Sequence, residues 1–291
     1  MKVALQLFGH MRTFDNCYPA LVKNFLELHN VDIFIHTWDT IDHKHPTWHD
    51  AEKVQGTYDT KLDFEKQICK LYKPKAIKID CQNLFVEEGL YGSGNKGRIS
   101  LTGLRYMHYS KYWSNKLRKE YQSHNKVDYE YVVVTRPDIY LNKALDLRNF
   151  KKEFELSPRS SLHLVHNVRT KFFENKAIQI ALMGDLLYVL KPETADMMGN
   201  SFTNFDFFFK DMMAVMPKGI DVPEVSFRES LRSLNIQPIF HKFDFTIKRA
   251  NSSLFVKLTR KRKISRVHKI ILVCVLLLIS VIIGNLLPRL I

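Results

Sequence analysis

Three short stretches of this 291-residue sequence carry residue types that could grip an anion. Gly9-His10-Met11-Arg12-Thr13 follows one apolar run, His36-Thr37-Trp38-Asp39 ends a second, and Arg136-Pro137-Asp138 ends a third, Tyr131 to Thr135. Glycine lets the backbone approach a ligand closely, and arginine offers a planar fork of donors that matches a phosphate. An aspartate can bind a divalent cation or a ribose hydroxyl. Gly9, Arg12, Arg136 and Asp138 are therefore the candidate grip for a nucleotide diphosphate. Charged residues cap single strands routinely in loops; three such ends in one chain weigh toward a site.

For these stretches to meet, the elements before them must lie side by side. Residues 3–9 read as a strand, Asp15 to Leu28 carries apolar residues at helical spacing, and 31–38 reads as a second strand. Strand, helix and strand within about forty residues is the βαβ unit of a parallel sheet, whose ligands sit beyond the carboxyl ends of the strands. Further along, residues 63–72 predict a helix and 76–80 a strand. Leu104 to His124 predicts a long helix with Tyr106, Tyr109, Trp113, Leu117 and Tyr121 along one packed side. Strands are expected at 131–135, 161–165, 178–184 and 186–190, and helices at 193–210 and 224–235, the last opened by Pro223. The expected fold class is α/β, with a mainly parallel central sheet flanked by helices.

The formal charge of +14 is unevenly spread. Eight Lys and Arg residues and no acid lie from Lys257 onward, leaving +6 on the first 256 residues. That excess suits an anionic small ligand or surface and falls short of a nucleic-acid footprint. The four cysteines, Cys17, Cys69, Cys81 and Cys274, show no paired spacing, which argues against a disulfide framework or a four-cysteine zinc site.

Ile270 to Leu287 is eighteen residues without a charge. As a helix it would span about 27 Å, close to the hydrocarbon thickness of a bilayer. The cations just before it predict that the body faces the cytoplasm and that anionic lipid is attracted to the linker. The expected organisation is a domain over 1–245, a basic linker over 246–269 and a single-pass membrane anchor over 270–288.

Two tempting motifs fail on spacing. His36, His43, His45 and His49 with Asp39, Asp42 and Asp50 lack HExxH spacing, and the stretch reads as a solvated loop. GLYGSGNKGR, residues 89–98, lacks the GxxxxGK[ST] of a P-loop and reads as a flexible lid.

LFGHMRTFDNCYPAL, DIFIHTWD, MHYSKYW and YEYVVVTRPDIYL, in this order, resemble a bacterial glycosyltransferase family of surface polysaccharide and lipopolysaccharide synthesis. The resemblance continues through MGDLLYVLKPETADMM and DVPEVSFRESLRSLNI, over roughly residues 3–240. It implies a GT-A nucleotide-sugar fold, a nucleotide-sugar donor, and a lipid-linked or polysaccharide acceptor. By that resemblance Gly9 and Arg12 would lie near the donor's nucleotide and diphosphate. Arg136 and Asp138 would occupy the place of the family's Asp-x-Asp motif, with Asp138 the ligand of a divalent cation, Mn or Mg. Asp138-Ile139-Tyr140 supplies one carboxylate where that motif has two, so Arg136 could supply the charge in the cation's place.

Sugar transfer also needs a base for the acceptor hydroxyl, and cations to stabilise the departing diphosphate. Glu224 and Asp185 are the candidate bases. Glu224 is placed first because Pro223 opens its helix, although a first-turn carboxylate also complements a helix dipole. Two alternatives share part of this pattern. One is a sugar-phosphate or phosphoryl transferase, and the other is a non-enzymatic tail-anchored adaptor that makes no use of the charged strand ends.

Overall fold

The computed structural model describes residues 1–40, 61–82, 84–85, 90–91, 99–155, 159–173, 176–206, 227 and 231–248. In chain order the strands are β1 (Lys2–Phe8), β2 (Asn30–Trp38), β3 (Ala76–Asp80), β4 (Leu90–Tyr91), β5 (Ile99–Ser100), β6 (Tyr131–Thr135), β7 (Ile139–Leu141), β8 (Ser160–Val165), β9 (Asn167–Phe173), β10 (Lys176–Leu182), β11 (Leu187–Leu190), β12 (Gln237–Lys242) and β13 (Phe245–Ile247). The α-helices are α1 (Phe14–Asn24), α2 (Lys61–Tyr72), α3 (Leu101–Asn125), α4 (Lys151–Glu155) and α5 (Pro192–Gly199).

Seven strands form the central sheet in the order β12-β8-β11-β6-β1-β2-β3. β1 runs parallel to both β2 and β6, β2 to β3, and β12 to β8. β11 alone in this sheet runs antiparallel to both of its neighbours, β6 and β8. The chain moves outward from β1 through β2 to β3 and then returns to place β6 on the other side of β1. That reversal is a topological switch point, and the crevice between the carboxyl ends of β1 and β6 is where an open α/β sheet accepts ligands.

Both faces of the sheet are covered, which explains the nearly continuous apolar runs of the central strands. Val3, Leu5 and Leu7 of β1 pack on one face with Phe14, Leu21, Phe64 and Ile68 of α1 and α2. Ala4 and Phe8 pack on the other with Phe34, Val132, Val134, Tyr188, Phe227 and Leu231. α3 crosses that second face and is fastened to it through polar groups. Gln6 Nε2 donates to Asn115 Oδ1 at 2.8 Å, and Asn115 Nδ2 donates to Asp196 of α5 at 3.1 Å. Arg118, buried beside them, pairs with the same aspartate. Gly199 ends α5 against α3, where an added Cβ would stand 2.6 Å from Asn115 Nδ2.

The predicted strands and helices of the first 135 residues are present with ends shifted by a few residues. The expected helix 15–28 stops at Asn24 and gives way to a short 3-10 turn over Leu26–Leu28. Residues 176–182 pair with β9 as a separate antiparallel hairpin and do not enter the large sheet. The path continues past residue 245. β13 pairs with β7, and Lys248 N donates to the carbonyl of Asp138 at 2.9 Å. Met1–Lys248 forms one compact unit. No described helix is long and apolar enough to cross a membrane, and the segment 270–288 lies outside the described residues. So do His43, His45 and His49, residues 92–98 of the glycine-rich stretch, and Glu224.

Candidate functional site

The turn after β1 is built around two residues with left-handed backbone. Gly9 has φ +87° and Arg12 has φ +47°. The first suits glycine, whereas the second costs an L-residue about 1–2 kcal/mol. α1 then starts at Phe14, so the positive end of its dipole opens beside the turn. Gly9 N donates to Ser110 Oγ of α3 at 2.7 Å. Thr13 Oγ1 donates to the Lys248 carbonyl at 2.8 Å, tying the turn to the end of β13.

The strained turn delivers Arg12 to the end of β6. Its Nη1 lies 2.9 Å from Asp138 Oδ2, with the carboxylate fully buried and the guanidinium nearly so. Arg136 reaches the same carboxylate from two residues away. Its Nε donates to Oδ1 at 2.9 Å, and its Nη2 pairs with Oδ2. Burial lowers the Arg136 pKa from its ordinary value, opposed mainly by the charge of Asp138. Of the sequence candidates, Gly9, Arg12, Arg136 and Asp138 thus meet at one rim of the sheet, at the switch point.

Asp138 was expected to ligate a divalent cation, and its surroundings do not fit one. Both of its oxygens are occupied by guanidinium donors, and an incoming cation would have to displace two fixed positive charges from a buried site. Its role here is counter-ion, holding two arginines that would otherwise repel each other.

Asp185 lies in the turn between β10 and β11, after Met183 (φ +64°), and is buried. Because β11 runs against its neighbours, this entry turn reaches the rim where β6 exits. Asp185 supports the charge of Arg136 and of Lys111, a residue the sequence reading passed over. Lys111 is 6 % exposed. Its Nζ donates to the Asp185 carbonyl at 3.3 Å and stands 4.4 Å from the Phe227 ring centre, 4.7 Å from that of Phe8 and 5.3 Å from that of Tyr188. Burial lowers its pKa to about 8.

A signal for Lys111 was present. On α3 the buried polar residues Ser110, Lys111, Ser114, Asn115 and Arg118 recur at helical spacing. The aromatic side drew attention instead. Tyr109, Trp113, Leu117 and Tyr121 are only partly buried. Tyr109 stacks near Trp38 and touches Phe85 and Phe202.

Behind Gly9 lies a hydrogen-bonded chain that fixes its amide. Asp80 Oδ2 is 3.1 Å from His36 Nε2, and His36 Nδ1 is 2.8 Å from Ser110 Oγ. With the ring proton on Nε2 facing the carboxylate, Nδ1 accepts from the Ser110 hydroxyl, whose oxygen accepts the Gly9 N–H. Burial lowers the His36 pKa, and the hydrogen bond from His36 is the largest of the effects lowering that of Asp80. His36 therefore serves structure here, and among the described residues no group of three metal-capable side chains gathers.

No model of a known protein family matches the chain, and no curated protein matches it. Among solved structures it is similar to the nucleoside-diphosphate-sugar pyrophosphorylase from Vibrio cholerae RC9, at 11% sequence identity and a TM-score of 0.36. The match covers 83% of this chain and 91% of that one.

Proposed function

We propose that the protein is a glycosyltransferase that takes a sugar from a nucleotide-sugar donor. The observation carrying this reading is the meeting of Arg12 and Arg136 over Asp138 at the switch point of a mainly parallel sheet. Cleaving the bond between a sugar's anomeric carbon and a diphosphate leaves negative charge on the departing phosphates. Fixed guanidinium donors beside the positive end of α1 stabilise that charge without reorganising. The acceptor is a surface glycan or a lipid-linked glycan. The apolar stretch Ile270 to Leu287, with the cations preceding it, supports a place at the cytoplasmic face of a membrane, where such an acceptor diffuses. Asp185 is the described carboxylate nearest the role of base. Glu224 shares that role as a candidate on sequence grounds.

The test is to incubate the purified full chain with a panel of UDP-, GDP- and CMP-sugars and lipid-linked acceptors, and to follow released nucleotide. A nucleoside diphosphate released with glycan extension supports the reading. From a UDP- or GDP-sugar, release of a nucleoside monophosphate points to sugar-phosphate transfer. If the folded Arg12→Ala and Arg136→Ala proteins retain full turnover, the charged rim has no part in it.

A further inference from the structure

The rim carries a third cation, Lys111, besides its two arginines. Arg12, Asp138, Arg136, Asp185 and Lys111 alternate in sign from the β1 turn, across the end of β6, to α3. Three cations against two carboxylates leave an excess of one positive charge in a largely buried row. The two arginines share Asp138. Lys111 has no carboxylate in ion-pair contact among the described residues, only a backbone carbonyl and three aromatic rings. A buried ammonium so placed is costly unless an anion completes it. Aromatic faces hold a cation in position through contacts weaker than a charge-assisted hydrogen bond, so an arriving anion can draw its N–H donors from them.

We propose that Lys111 is the third phosphate-binding cation of this site, and that Arg12, Arg136 and Lys111 together hold a nucleoside diphosphate without a divalent metal. This rests on the nucleotide-sugar reading and adds to it the mode of donor binding. Two independent features meet in it. One is the occupation of Asp138 by guanidinium groups. The other is a buried Lys111 ammonium that touches no carboxylate among the described residues and has only Asp185 nearby to support its charge. Among the described residues the ionisable groups facing Lys111 are Asp185, Arg136, His108, His163 and Tyr188, whose phenol burial keeps protonated. Both histidines are held neutral by burial, with pKa values lowered to about 3 and about 4, so neither competes for the anion or adds charge near neutrality.

The experiment is calorimetric titration of the full chain in detergent with UDP and with GDP, in excess EDTA and then in excess Mn or Mg. The expected result is binding in EDTA, with affinity changed less than about threefold by metal. Lys111→Met and Lys111→Gln, each confirmed folded by its melting curve, are expected to weaken binding about tenfold or more. Wild-type affinity should fall as pH rises through about 8, and the variants should lose that dependence. Binding that appears only with metal overturns this proposal and leaves the nucleotide-sugar reading standing. So does undiminished binding by the folded variants. No nucleotide binding under either condition overturns both. The metal comparison uses the unmutated chain, so it decides the matter even if both variants fail to fold.

Discussion

Replacing Asp138 by asparagine removes one charge and almost no volume, which makes it a sharp test of how the rim is held. The native carboxylate is fully buried and accepts from Arg12 Nη1 and Arg136 Nε at 2.9 Å each, with Arg136 Nη2 as a third donor. An amide offers one acceptor oxygen, and turns its own N–H groups toward a guanidinium that cannot accept. Two buried positive charges are then left facing each other. Breaking a buried ion pair from one side costs about 3–5 kcal/mol. In a domain of this size each kcal/mol moves the melting temperature by about 2–4 °C, so the expected loss is about 6–20 °C. Differential scanning fluorimetry of the two proteins at pH 7 reads it directly. Asp146→Asn is the control, because its partner Arg148 is largely exposed and the pair is screened by water. A melting temperature for Asp138→Asn within about 2 °C of wild type would refute the counter-ion role. So would a control that falls as far.

Gly199→Ala should destabilise the protein by about 1–3 kcal/mol, since the new methyl meets Asn115 and must disturb the Gln6–Asn115–Asp196 bonds; urea denaturation checks this. Gly9→Ala should cost about 1–2 kcal/mol and weaken nucleotide binding, because its φ of +87° disfavours a side chain although the space beside it is open. Lys111 has a folded pKa near 8, below its unfolded value, so the folded state releases its proton first. Its burial penalty is complete below about pH 8 and is relieved as pH rises toward the unfolded pKa. Relative to wild type, Lys111→Met should therefore melt higher at pH 7 than at pH 10. His36, held neutral by burial, acts in acid: stability should fall as pH drops below about 6.5, and His36→Gln should lose less over that window.

How much of this was legible in the sequence depended on whether a signal was local. β1, β2 and β6 announce themselves as apolar runs, and the polar stretches behind β1 and β6 could be placed at one edge because strand ends are read along the chain. Pairing across distance was not readable. Nothing in Arg136-Pro137-Asp138 says that Asp138 is shared with Arg12, 126 residues earlier. β12 and β13 were missed because β12 is only half-buried and carries Pro238 with polar ends, and β13 is three residues long, so neither offers the continuous apolar signal of covered strands. Lys111 was missed for a different reason. A helix is usually scanned for its greasy side, and the side of α3 that meets the sheet at this rim is polar.

The reversed direction of β11 has a consequence of its own. A wholly parallel sheet gathers only the loops that leave its strands at a given edge, each bound to a crossover that must also return. One strand laid the other way brings in a short turn from a hairpin, free of any such obligation. The turn at Asp185 is held instead by what it touches: Lys111 donates to the Asp185 carbonyl at 3.3 Å, and His163 Nδ1 lies 2.7 Å from the Gly184 carbonyl. In descendants of this chain, that turn can drift only where those contacts survive.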